Sequence, residues 1–63
     1  MEISKQEIMT MVSNILTKNE IKVSYENNIC IIYRNTAFGW KPVIFIDNKD
    51  EEIVEIEGVK YRL

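Results

Sequence analysis

The stretch IKVSYENNICIIYR, residues 21–34, decides the fold of this chain. Apolar and polar residues alternate over 21–26, which is the period of a strand with one buried face. A second apolar run begins directly after Asn27-Asn28, a pair of residues that tolerates the positive φ angles of tight turns. The stretch therefore predicts an antiparallel β-hairpin.

The length of the turn decides which side chains of the two strands share a face, because one residue more in the loop exchanges the faces. A two-residue loop, Asn27-Asn28, sets the two apolar series on opposite faces, whereas a three-residue loop that begins at Glu26 aligns them. We expect the three-residue loop, since it gathers the apolar residues. One face then carries Ile21, Val23, Tyr25, Ile29, Ile31 and Tyr33. Cys30 and Ile32 fall on the other face.

Upstream of the hairpin, residues 3–19 have the pattern of an amphipathic helix. Ser4 followed by Glu7 fits a capping box, in which the two residues satisfy each other's free backbone amides. Asn19 suits a left-handed C-cap. Apolar residues recur on one side of this helix at Ile8, Met11, Val12, Ile15 and Leu16.

Downstream of the hairpin, residues 35–42 interrupt the strand pattern with Gly39 and Pro42, and we expect a loop there. Three further strands are expected, over residues 43–46, 52–56 and 59–63.

A two-residue loop, Glu57-Gly58, joins the last two strands and pairs Glu55 with Lys60. The fold class is predicted to be α+β, with an N-terminal amphipathic helix packed on a small antiparallel sheet of four to five strands. The element order is α-β-β-β-β-β.

The length of 63 residues indicates one domain, 1–63, near the lower limit for a chain that folds alone. The single cysteine, Cys30, excludes an internal disulfide, and the absence of histidine removes the common zinc sites and the usual general base. No glycine-rich phosphate loop is present. We therefore predict a protein that is not an enzyme and that has no cofactor and no metal.

The longest apolar run, Val43 to Ile46, is far shorter than a membrane span, and the first residues lack the pattern of a signal peptide. We expect a cytoplasmic protein without a membrane partner. The abundance of Ile, Asn and Lys is typical of AT-rich genomes, which favours a bacterial or phage accessory protein.

One helix can cover only one face of the sheet, and an exposed apolar face usually marks an interface. Either the 35–42 loop, with Phe38 and Trp40, folds over the second face, or a partner does. We favour a protein partner, most simply a second copy in a homodimer, with the two aromatic residues as anchors. The second face is expected to carry Ile32, Ile53 and either Val43 with Phe45 or Ile44 with Ile46.

Acidic residues cluster in 47–57. Calcium would use such oxygen ligands, but the spacing and mid-loop glycine of an EF-hand are missing. Glu52 and Glu55 offer an acidic surface to a basic partner, which would suit an inhibitor of a larger enzyme. A plainer interpretation is a solvated turn and strand edge.

The alternative function is single-stranded nucleic-acid binding, with bases stacked on Trp40 and phosphates near Lys22, Arg34 and Lys41. A net charge of −2 makes nucleic acid the less favoured partner.

Overall fold

The computed structural model describes residues 3–49 and 52–63. Asp50 and Glu51, two members of the predicted acidic cluster, lie outside the described residues. The order of elements is the predicted one, and the fold class is α+β. The elements are α1 (Lys5–Lys18), β1 (Ile21–Glu26), β2 (Ile29–Thr36), β3 (Gly39–Asp47), β4 (Ile53–Ile56) and β5 (Val59–Arg62).

Helix α1 begins at the cap that the sequence predicts. The Glu7 amide donates to the Ser4 hydroxyl over 3.1 Å, and that hydroxyl faces the Glu7 carboxylate at 3.3 Å. The C-terminal prediction was wrong, because Asn19 has an extended backbone rather than a left-handed one. Its side-chain amide instead donates to the Ile15 carbonyl, so a side chain satisfies one of the free carbonyls of the last turn.

The five strands form an antiparallel meander with the spatial order β1-β2-β3-β4-β5. Strands β1 and β2 are joined by a two-residue turn, since Glu26 pairs directly with Ile29. Asn27 and Asn28 have φ angles of 50° and 68°, which are the angles of a type I′ turn. The expected three-residue loop was therefore wrong: the twist of a type I′ turn matches that of the flanking strands, and this outweighs the gathering of apolar residues.

The shorter turn exchanges the two faces of β2. Cys30 and Ile32 lie under the helix, whereas Ile29, Ile31 and Tyr33 point to the other side of the sheet. The residues buried together with the helix are Ile8, Ile15, Cys30, Ile32, Val43, Ile44, Val54 and Ile56.

The same register corrects the expected placement of three site residues, Ile32, Ile44 and Ile46. All three were expected on the uncovered face, with Ile44 and Ile46 placed there by one of two orientations of the third strand. Ile32 and Ile44 belong to the core, where Ile44 is 0% exposed, and Ile46 packs against it. Their cross-strand pairs, Ile32 with Ile44 and Cys30 with Ile46, place all of them beneath the helix.

The segment 35–42 is not a loop, and this prediction was also wrong. Strand β2 continues to Thr36, a two-residue turn follows, and β3 begins at Gly39, whose φ of 101° suits glycine. The Thr36 hydroxyl accepts from the Phe38 amide and donates to the Gly39 carbonyl, which fixes this turn. The segment extends the β2-β3 hairpin along its own axis and does not fold back over the sheet.

Pro42 is tolerated in β3 because of where it lies. It pairs with Tyr33 beside an irregularity in the β2-β3 register, and the pairing of β3 with β4 runs only from Ile44 to Ile46. The missing amide of Pro42 therefore falls in a part of β3 that lies beyond the ladder with β4.

The β4-β5 hairpin confirms the sequence prediction. Ile56 pairs with Val59 across the two-residue turn, and Glu55 pairs with Lys60 on the opposite face. Glu57 and Gly58 both have positive φ angles, 51° and 85°, so this turn is also of type I′.

Candidate binding surface

The side of the sheet that faces away from the helix is called the open face here. Its members follow from strand alternation, because successive residues point to opposite sides and directly paired residues share a side. The open face carries Lys22, Ser24 and Glu26 of β1, Ile29, Ile31, Tyr33 and Asn35 of β2, Trp40, Pro42, Phe45 and Asp47 of β3, Ile53 and Glu55 of β4, and Lys60 and Arg62 of β5.

Apolar side chains occupy the middle of the open face. Ile31 pairs with Phe45, and Ile31 is only 9% exposed although it lies outside the core cluster under the helix. Ile29 and Tyr33 flank Ile31 on β2, and both are half-buried. No described helix lies above these side chains, so we infer from their burial and pairing that neighbouring side chains of the sheet shield them as a second, shallower apolar layer.

Charged side chains surround this apolar centre on the two outer sides of the sheet. Lys22 and Glu26 lie on β1, and Lys60 and Arg62 lie on β5. Together with Asp47 and Glu55, the described strands present three basic and three acidic side chains on this face. The open face is therefore electrically balanced, with an apolar middle and a charged rim.

Trp40 belongs to the open face, where the residue is 39% exposed. The Lys22 ammonium lies 5.3 Å from the centre of the indole ring, a cation–π distance. The other two basic residues of the predicted nucleic-acid patch lie elsewhere. Arg34 and Lys41 pair with each other on the helix side of the sheet, and the Arg34 guanidinium meets the Glu57 carboxylate at 3.6 Å. The structure thus joins only Lys22 with Trp40.

Phe38 stands apart from Trp40. It lies at the tip of the β2-β3 hairpin and is 89% exposed. The two aromatic residues were expected on one loop, but Trp40 lies within β3 and contributes to the open face, whereas Phe38 projects from the end of the sheet.

In the described part of the acidic segment 47–57, acidic side chains lie beside basic ones. Glu52 meets Arg62 at 3.9 Å, and Glu55 lies directly across from Lys60. Glu55 and Ile53 are on the open face, as is the rim residue Arg62. These residues therefore do not form a continuous acidic strip, because Glu52, Glu55 and Glu57 each lie beside a basic side chain.

The open face contains a shallow cavity of about 370 Å³. It is lined by Ile29, Phe45, Asp47, Ile53, Glu55 and Lys60. The cavity has apolar walls with single charged side chains at its border.

The free thiol of Cys30 is buried beneath the helix, away from the open face. Within residues 3–49 and 52–63, no group of three or more Cys, Asp or Glu side chains is placed to hold a metal ion. None of the helices among these residues has the length and apolar character needed to cross a membrane.

Comparisons with known proteins give no match to a family model, a curated protein or a solved structure. The surface described above is therefore the basis on which a function can be argued.

Sequence reasoning missed the central members of this surface, Ile29, Ile31 and Tyr33, because it assigned them to the core. The signal that could have found them is the Asn27-Asn28 pair. Two consecutive residues that tolerate positive φ favour a two-residue type I′ turn, and that turn alone fixes the faces of β2.

Proposed function

We propose that this chain is a non-catalytic interaction domain that binds another protein through the open face of its sheet. The observation that carries the proposal is the apolar centre built from Ile31 and Phe45 with their neighbours, which no described element covers. An apolar patch of this kind, rimmed by polar residues, is typical of interfaces between proteins.

The charge of the open face favours a protein over a nucleic acid. Nucleic-acid binding requires an excess of basic side chains to neutralise phosphates. Here the three bases are matched by three acids, and Arg34 is held by Glu57 on the other side of the sheet. The contact of Lys22 with Trp40 is compatible with base stacking, but it has no basic track beside it.

The accessory or inhibitor role belongs to the same proposal. A chain of 7.5 kDa would act in this role by occupying a surface of another molecule, and the apolar and aromatic side chains of the open face would supply the contacts. We place this binding in the cytoplasm, where the single thiol of Cys30 stays reduced.

A photo-crosslinking experiment tests the proposal directly. The reactive amino acid p-benzoylphenylalanine replaces Phe45 at the centre of the open face in cells that express the chain. The matched control carries it in place of Tyr25, an aromatic residue of β1 that is 72% exposed on the helix side of the sheet.

We expect irradiation to join the chain to a protein from position 45 and not from position 25. Equal yields from the two positions, or no protein adduct from position 45, would refute the proposal. Adducts with nucleic acid from position 45 would instead support the alternative function, single-stranded nucleic-acid binding.

A further inference from the structure

We infer that the occupant of the open face is a second copy of this chain, packed face to face about a two-fold axis that crosses the strands. The inference rests on the proposed function and names its partner. Two features of the open face carry it: the placement of charges on β1 and the symmetry of the apolar centre.

The charges of β1 are arranged so that the face complements itself. Lys22 and Glu26 stand at the two ends of the strand, about 13 Å apart, with Ser24 midway between them. A half-turn about an axis through the level of Ser24 brings Lys22 of one copy opposite Glu26 of the other, and the reverse contact forms as well. Such reciprocity is the requirement for an isologous dimer.

The same rotation also brings the apolar residues of the two copies into contact. Ser24, Ile31 and Phe45 lie side by side on β1, β2 and β3, on the line that the axis would follow. Ile31 and Phe45 therefore meet their own counterparts, and Ile29 of one copy meets Tyr33 of the other. Every apolar position of β2 thus receives an apolar contact, as in two sheets packed about 10 Å apart.

The far side of the open face is the less favourable half of this arrangement. Glu55 and Lys60 lie on the line of the axis, so each meets its own counterpart in the other copy, and the diagonal contact of Glu55 with Lys60 only partly offsets these like-charge contacts. The whole face carries equal numbers of acids and bases, so neither copy brings a net charge to the interface.

Charge reversal tests the inference on the purified full-length chain. The dissociation constant of the dimer is measured by sedimentation equilibrium for the wild type, Lys22→Glu, Glu26→Lys and the double variant. All positions are exposed, so far-UV circular dichroism should show the same fold for the four proteins. Lys22→Glu also removes the contact with Trp40, but this loss is common to the single and the double variant.

We expect a wild-type dimer, dissociation constants raised about tenfold in each single variant, and a return to within about threefold of wild type in the double variant. A double variant that is weaker than either single variant would refute the two-fold arrangement. A wild type that stays monomeric at millimolar concentration would refute the second copy as occupant. If position 45 still crosslinks to a different protein, the proposed function stands while this inference fails; if it crosslinks to no protein, both fail.

Discussion

The two faces of the sheet are built from the same alternation of residues, yet the helix covers only one of them. The covered face places Ile32, Ile44 and Val54 beneath the helix, where they are almost inaccessible to solvent. The open face places Ile31 and Phe45 on the opposite side, where only neighbouring side chains shield them. The difference teaches that the hydrophobic pattern makes both faces apolar, and that the helix makes only one of them a core and leaves the other uncovered.

The largest effect should come from removing a side chain of the covered face. Ile44→Ala is expected to cost about 2–5 kcal/mol of unfolding free energy, because Ile44 is 0% exposed and the cavity cannot be refilled by solvent. A chain of this size has only about 3–5 kcal/mol in total, so the variant should be largely unfolded at room temperature.

The matched change on the open face is Ile53→Ala, at a half-buried position. We expect it to cost about 1 kcal/mol or less when the chain is dilute enough to be monomeric, because the side chain is already partly in water. Urea unfolding followed by circular dichroism compares the two variants. Equal losses would contradict the assignment of Ile44 to the core and Ile53 to the open face.

The next effect concerns the turn that assigns residues to faces. Asn27 has a φ angle of 50°, which asparagine and glycine tolerate better than alanine. Asn27→Ala should cost about 1 kcal/mol of unfolding free energy, whereas Asn27→Gly should be tolerated. In a three-residue loop the same position would be right-handed, and alanine would then have no cost. An unchanged stability of Asn27→Ala would therefore contradict the register.

An effect of the same size concerns the helix that provides the cover. Ser4→Ala removes the hydroxyl that accepts from the Glu7 amide, and we expect a loss of about 1 kcal/mol. Ser13→Ala, on the exposed side of the same helix, is the control and should be neutral or slightly stabilising. Thermal unfolding of both variants gives the comparison, and equal melting temperatures would show that the cap contributes nothing.

Much of this architecture could be predicted from the sequence because it depends on local chemistry. The capping pair Ser4 and Glu7 marks the start of the helix, and the alternation from Ile21 onwards marks the first strand. The pairing of Glu55 with Lys60 was predicted from the parity of the last two strands, and the structure confirms it. In each case the deciding residues are close together in sequence.

The open face could not be predicted, because its membership depends on turn geometry. In the β1-β2 turn, one residue of loop length separates a face built on Ile29 and Ile31 from one built on Cys30 and Ile32. Hydrophobicity does not distinguish these sets, since both are apolar.

A second error came from Gly39 and Pro42, which were interpreted as breaks in secondary structure. Gly39 instead follows a tight turn, and Pro42 lies in β3 beyond the ladder with β4. Only the pairing of strands shows that both residues are compatible with a long hairpin. The alternative that the 35–42 segment covers the second face, which we did not favour, disappears with this correction.

The central claim is that two copies meet through Ile31 and Phe45 of their open faces. Isotope-filtered NMR on an equal mixture of labelled and unlabelled chain measures contacts between copies directly. The account predicts intermolecular nuclear Overhauser effects from the Ile31 methyl groups to the Ile31 methyl groups and the Phe45 ring of the other copy. Intermolecular effects that arise only from Val23 and Tyr25, on the helix side of β1, or none at all at millimolar concentration, would contradict it.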